Sequence, residues 1–176
     1  MSRTPLLVNR GVLEAARGGV LSLSFITGGT MSLWNDAAID AGYDGTVRIT
    51  SAVVNGPAGF NILDGGDLQL DRVTFAGPGS IRFGPAGTAT GGTLELDHEP
   101  ALTPLVRSFE VGDLVKIDNF TATKILAFDI DQVTAVDVIG AGKSHPTQTF
   151  TLAGAFSASQ LGYANVGGAA YVFRTS

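Results

Sequence analysis

Along the first hundred positions, apolar and polar residues alternate in short stretches, and glycine sets each stretch off from the next. In Leu21-Ser22-Leu23-Ser24-Phe25 every second residue is apolar, and Leu68-Gln69-Leu70-Asp71 repeats the pattern. A period of two puts Leu21, Leu23 and Phe25 on one face of a strand and the serines on the other. The same alternation predicts strands over Val12–Ala15, Val20–Phe25, Thr30–Trp34, Thr46–Thr50, Phe60–Leu63, Leu68–Phe75, Ile81–Phe83 and Thr93–Asp97. Glycine pairs such as Gly18-Gly19, Gly28-Gly29, Gly65-Gly66 and Gly91-Gly92 bound them, as turns requiring positive φ demand. A strand this short buries one face and is not stable alone. Stacked copies bury that face together, so the recurring glycine-then-strand unit predicts an all-β fold, a parallel β-helix or β-solenoid.

Asn35–Gly45 breaks the alternation: Asp36–Ala41 could make a single helical turn capped by Asn35 or Asp36, but a helix this short is marginal and the segment reads as a loop or a short 3₁₀ turn. Beyond Asp97 the texture changes. Pro100 and Pro104 interrupt the strand pattern, glycine thins until Gly140, and longer apolar strands follow over Leu114–Asp118, Lys124–Ile130, Ala135–Ile139, Thr149–Ala153 and Ala170–Phe173. Residues 1–98 are therefore expected to form solenoid repeats. Residues 99–176 are expected to add further coils and a more irregular, β-rich C-terminal cap within one continuous domain, since a bare solenoid end exposes core and strand edges.

Composition narrows the functions. At 176 residues and 44% hydrophobic the chain suffices for one cored domain. The 24 glycines follow no three-residue period, which excludes collagen. A net charge of −5, with scattered basic residues, argues against a nucleic-acid partner. Cysteine is absent, so disulfides and thiolate metal sites are excluded. No stretch approaches the roughly 20 apolar residues that a bilayer-spanning helix needs, so no membrane insertion is expected. Met1–Arg10 lacks the charged and apolar regions of a signal peptide.

Two stretches resemble known proteins. Val8-Asn9-Arg10-Gly11-Val12-Leu13-Glu14-Ala15, with Gly18-Gly19-Val20-Leu21-Ser22-Leu23, resembles repeats of large bacterial surface and autotransporter-like adhesins. Gly92–Asp97 and Phe109–Asp118 are similar to a module near the ends of the same adhesins, and to the terminal region of type I-secreted repeats-in-toxin proteins. Val115-Lys116 adds a residue to that module, and Asn119 stands where it has an apolar side chain. The resemblance implies a right-handed parallel β-helix in a secreted or cell-surface bacterial protein, with an adhesive or biofilm-matrix role. The calcium nonapeptide of the toxin repeats is absent.

Candidate chemistry is sparse. Gly140-Ala141-Gly142-Lys143-Ser144 resembles the end of a phosphate-binding loop, but Asp137 replaces its first glycine and Pro146 opposes the helix it requires. Asp129 and Asp131 flank Ile130 on one strand face, and with Asp113 and Asp118 they are the calcium candidates, the last two also suiting turn hydrogen bonds. No other cofactor is expected. Asp64, Asp67 and Asp71, with Arg72 or Arg82, could line a carbohydrate groove. His98 and His145 lack a second histidine at metal-ligand spacing, and His98 beside Glu99 reads as a polar loop pair. Trp34, at a strand end, is a candidate for contact with a glycan or partner.

The chain thus reads as a non-enzymatic structural or adhesive module whose partners are other copies of itself or adjoining solenoid repeats. Leu6, Leu7, Val8, Val12 and Leu13 at one end, and Tyr171 and Phe173 at the other, are the candidate head-to-tail assembly surfaces. The alternative is a polysaccharide-binding or -degrading β-helix of the phage-fibre or depolymerase kind.

Overall fold

A computed structural model describes residues 6–24, 29–63, 65–84, 91–98, 101–141 and 147–175. Phe25, Asp64, Glu99, Pro100, Gly142–Ser144 and His145 lie outside them. The described chain is all β, and its regular coils make a β-solenoid of about four turns. In chain order the strands are β1 (Leu6–Asn9), β2 (Leu13–Ala15), β3 (Val20–Ser24), β4 (Met31–Asn35), β5 (Ile39–Ala41), β6 (Thr46–Asn55), β7 (Phe60–Ile62), β8 (Asp67–Phe75), β9 (Ser80–Phe83), β10 (Thr93–Asp97), β11 (Ala101–Arg107), β12 (Leu114–Ile117), β13 (Ala122–Ile130), β14 (Val133–Gly140), β15 (Gln148–Ala153), β16 (Leu161–Val166) and β17 (Ala169–Arg174). A 3₁₀ turn at Ala158–Gln160 precedes β16.

The strands form two sheets. The first runs β1-β4-β6-β8-β10-β12-β17-β16, with β3 also paired to β6; the second runs β2-β5-β7-β9-β11-β15-β14-β13. Pairings are parallel up to β12 in the first sheet and β15 in the second. The remaining strands join antiparallel. One apolar core runs from Ala15 to Val172, filled by Leu33, Ile49, Phe60, Phe83, Leu94, Phe109 and Phe150.

Register along one face is regular although the chain length per coil is not. Val20 stacks on Thr46, Thr46 on Asp67, Asp67 on Thr93 and Thr93 on Leu114, spacings of 26, 21, 26 and 21 residues. The longer coils carry their extra residues between Ser24 and Met31 and between Phe83 and Thr93. Between Thr50 and Ala52 the chain turns a corner through Ser51, at φ 51. Arg72 (φ 54), His98 (φ 59) and Asn119 (φ 53) turn the same corner in later coils, a column of left-handed residues none of which is glycine. Gly45 and Gly66 are required for a different reason: a Cβ there would sit 2.1 Å from the Ala15 carbonyl oxygen and 2.0 Å from that of Ala41.

Three sequence expectations change. Asn35–Gly45 contains a strand, β5, whose Ile39 and Ala41 are buried between neighbouring coils. Pro104 does not end a strand but lies within β11. Its missing N–H is tolerated because the pairing with β15 shifts register between Ala101 and Leu105, and pairing with β9 begins only at Leu105. Asp131 is not on a strand with Asp129; with Gln132 it makes the two-residue turn between β13 and β14, both at positive φ (53° and 65°).

Candidate functional site

Where successive coils stack in register, their outward side chains line up in columns. On the face built from β3, β6, β8, β10 and β12, Leu68, Leu70, Leu94, Leu96, Val115 and Ile117 point inward and are buried. The alternate residues point outward, in a column Ser22, Arg48, Gln69, Glu95, Lys116. Two residues on, Ser24, Thr50, Asp71 and Asp97 form a second column, which Asp118 extends through its backbone N–H to the Leu96 carbonyl. Three aspartates thus stack at the spacing of parallel strands, about 4.8 Å.

The two columns hold a connected polar network. The Arg48 Nε donates to Gln69 Oε1 at 2.7 Å, and Gln69 Nε2 donates to Asp67 Oδ2 at 2.6 Å. Lys116 Nζ lies 3.0 Å from Glu95 Oε2 and 3.0 Å from Asp118 Oδ1. His98 Nδ1 lies 2.9 Å from Asp97 Oδ1 and 3.3 Å from Asp71 Oδ1, while Arg72 pairs with Asp71 at 2.9 Å. A groove of about 300 Å³ runs between the columns, lined by Arg48, Thr50, Gln69, Leu70, Asp71, Glu95 and Asp97.

Burial and the neighbouring Asp118 carboxylate push Glu95 up to about 7, against the pull of Lys116. Burial works against the Lys116 ammonium, yet its hydrogen bonds to Asp118 and Glu95 outweigh it and hold the lysine above its ordinary range. Burial also raises Asp67, opposed by Gln69, and Asp67 Oδ1 is buried without a hydrogen bond. The groove therefore offers a protonatable acid, aspartate carboxylates and an arginine along two adjacent columns. Among the described residues, Asp71, Asp97 and His98 also bring their ligand atoms within 4.8 Å of one another, the arrangement that could hold a divalent cation.

The other candidates are dispersed. Asp113 is buried and accepts N–H bonds from Gly92 (3.0 Å) and Glu110 (2.8 Å), so it fastens the turn before β12, and burial raises it despite those bonds. Asp118 belongs to the groove network. Asp129 and Asp131 are exposed at the far end of the molecule. Arg82 lies on β9 in the second sheet, beside Asn61 and Leu63, on a different sheet from Asp67 and Asp71. Trp34 is partly exposed next to its register partner Val8, and its Nε1 donates to Asp36 at 2.7 Å. The chain matches no protein-family profile and no curated protein.

Leu6, Leu7, Val8, Val12 and Leu13 all sit on the first coil, with Leu6, Val8 and Val12 exposed and Leu7 and Leu13 partly buried against the core. Tyr171 and Phe173 lie on β17, whose two edges are taken by β12 and β16. The free edges at that end belong instead to β16 and β13. Sequence reading passed over Glu95, Asp97 and Lys116 as site residues. The signal was present: Gly66-Asp67-Leu68-Gln69-Leu70-Asp71 and Gly92-Thr93-Leu94-Glu95-Leu96-Asp97 align residue for residue, and the alignment puts Asp71 on Asp97.

Proposed function

We propose that this chain is a non-enzymatic structural β-solenoid module that assembles end to end, acting outside the cell or on a bacterial surface as its adhesin-like repeats imply. One observation carries the reading: among the described residues, both ends leave strand edges without partners and surround them with exposed apolar side chains. At the first coil these are Leu6, Val12 and Val20; at the other end Phe128, Ile130 and Val166, each more than half exposed. Free edges and apolar patches of this kind are what natural β proteins otherwise cover. A contact between unlike ends does not close on itself and extends into a filament. Sedimentation velocity and negative-stain microscopy over a concentration series test this. Thin fibres, or a mass rising with concentration, are expected; a monomer at every concentration overturns it.

A second reading rests on the groove. Arg48, Gln69, Asp71, Glu95 and Asp97 form a row of polar groups along successive coils, which suits the repeating hydroxyls of a polysaccharide. Titrating labelled protein with a panel of neutral and acidic glycans and following the amide resonances of β8 and β10 tests it. Absence of any shift at millimolar sugar removes the reading.

A further inference from the structure

The two ends carry opposite charge. On the first coil Arg10 and Arg17 flank β2, with Glu14 at its centre; all three are exposed and none makes an ion pair among the described residues. At the far end Asp129 and Asp131 mark the tip of β13 and its turn, with Lys124 near the start of the strand, all exposed and likewise without ion pairs. Among these described residues the first end thus carries a net positive charge and the second a net negative one, although the whole chain is acidic at −5.

The far end is also sealed selectively. Asn165 of β16 donates its Nδ2 to the Ala122 carbonyl and accepts the Ala122 N–H, both at 2.9 Å, and Tyr163 Oη donates to the Thr123 carbonyl at 2.8 Å. These side chains occupy the outer edge of β13 at its first two residues. Among the described residues, Lys124–Ile130 keep an edge with no strand beside it, next to the exposed Phe128, Ile130 and Val133. At the opposite end of the same sheet, β2 has an equally open edge beside the exposed Val12.

We infer that the Lys124–Ile130 edge of one copy docks on β2 of a second copy, so that the second sheet runs on from molecule to molecule. Paired antiparallel, the tip with Asp129 and Asp131 meets Arg10 and Lys124 falls beside Glu14, while Arg17 adds to the positive charge of the first coil. The inference rests on the end-to-end reading above and names its surfaces. Like charge in both ends of one species opposes the contact, whereas opposite charge steers and orients it.

Two variants test it, each checked for an unchanged circular dichroism spectrum and melting temperature: R10E/R17E, and D129K/D131N, in which asparagine suits the left-handed turn position. Each alone is expected to raise the concentration for half-assembly at least about tenfold, by placing like charges at the contact. An equimolar mixture of the two is expected to assemble again, because the acidic first coil of one meets the basic tip of the other. Wild-type assembly should also weaken in half-molar salt, where the screening length falls to a few ångströms, about 4 Å. Wild-type assembly that either variant leaves unchanged, or a mixture that fails to recover, overturns the docking surface while leaving end-to-end assembly standing. A wild type that stays monomeric overturns both.

Discussion

Glu95 gives this fold an inverted dependence on pH, and Glu95→Gln is the perturbation that isolates it. The unfolded chain titrates this carboxyl at its ordinary 4.5, the folded chain at about 7. Between those values the folded state binds more protons than the unfolded state, so stability falls as pH rises. The contribution is fully present below pH 4.5 and is lost once pH has risen through about 7. At about 1.4 kcal/mol per pKa unit the whole loss is about 3 kcal/mol, of which about 2 kcal/mol falls between about pH 5.5 and about pH 8. The Glu95 side chain is only 19% exposed, so solvent screening removes little of this. With a urea m-value of about 2 kcal/mol/M, the unfolding midpoint should drop by about 1 M across that window. Glutamine keeps the shape and cannot ionise, so Glu95→Gln should lose most of the slope. The assay is urea unfolding followed by circular dichroism at four pH values. A wild-type midpoint that holds level across the window, or a variant that keeps the full slope, refutes the reasoning.

Other expectations follow from the same geometry. Lys116→Met leaves Glu95 and Asp118 facing each other without a cation, and should cost about 2 kcal/mol at pH 8 and clearly less at pH 5.5, read from the same titrations. Asp113→Ala strands the N–H groups of Gly92 and Glu110 and should cost about 2 kcal/mol in urea unfolding; an effect below a few tenths would show that water replaces the carboxylate. Gly66→Ala forces a methyl into the Ala41 carbonyl of the coil before it and should destabilise by about 3 kcal/mol. Gly11→Ala, with nothing within 4 Å of the added carbon, is the matched control, and equal melting temperatures for the pair would contradict the close coil packing.

The solenoid was legible because its faces are written in the two-residue alternation of Leu21–Phe25 and Leu68–Asp71, each preceded by glycine, which at Gly66 permits close coil approach. Elements that do not use that code were missed. The strand at Ile39–Ala41 was missed because the Asp36-Ala37-Ala38 stretch leading into it reads locally as a turn, and it exists because neighbouring coils bury Ile39 and Ala41. The strand through Pro104 was hidden because a proline is read locally as a break, while its toleration depends on a register shift only the fold supplies. The edge strand Leu161–Val166 is mostly exposed and pairs with a single neighbour, so no apolar face marks it. The polar groove was half legible. Asp71 and Asp97 follow from aligning two similar phrases, whereas adding Lys116 and Asp118 requires knowing that the next coil is five residues shorter than the one before, 21 instead of 26.

That unequal coil length has a consequence for how such a scaffold can change. The stacked faces keep their register whether 21 or 26 residues separate them, so the corners between Ser24 and Met31 and between Phe83 and Thr93 act as length reservoirs. Doubling a flexible loop costs only about 0.6 kcal/mol in closure entropy, far less than the burial that one coil contributes. Insertions at these two corners are therefore close to neutral for the scaffold, while a single-residue insertion within a face would turn every core side chain of that strand outward. Variation in descendants of this sequence, and peptides grafted by design, should accumulate at the corners, leaving the ladder as the inherited part.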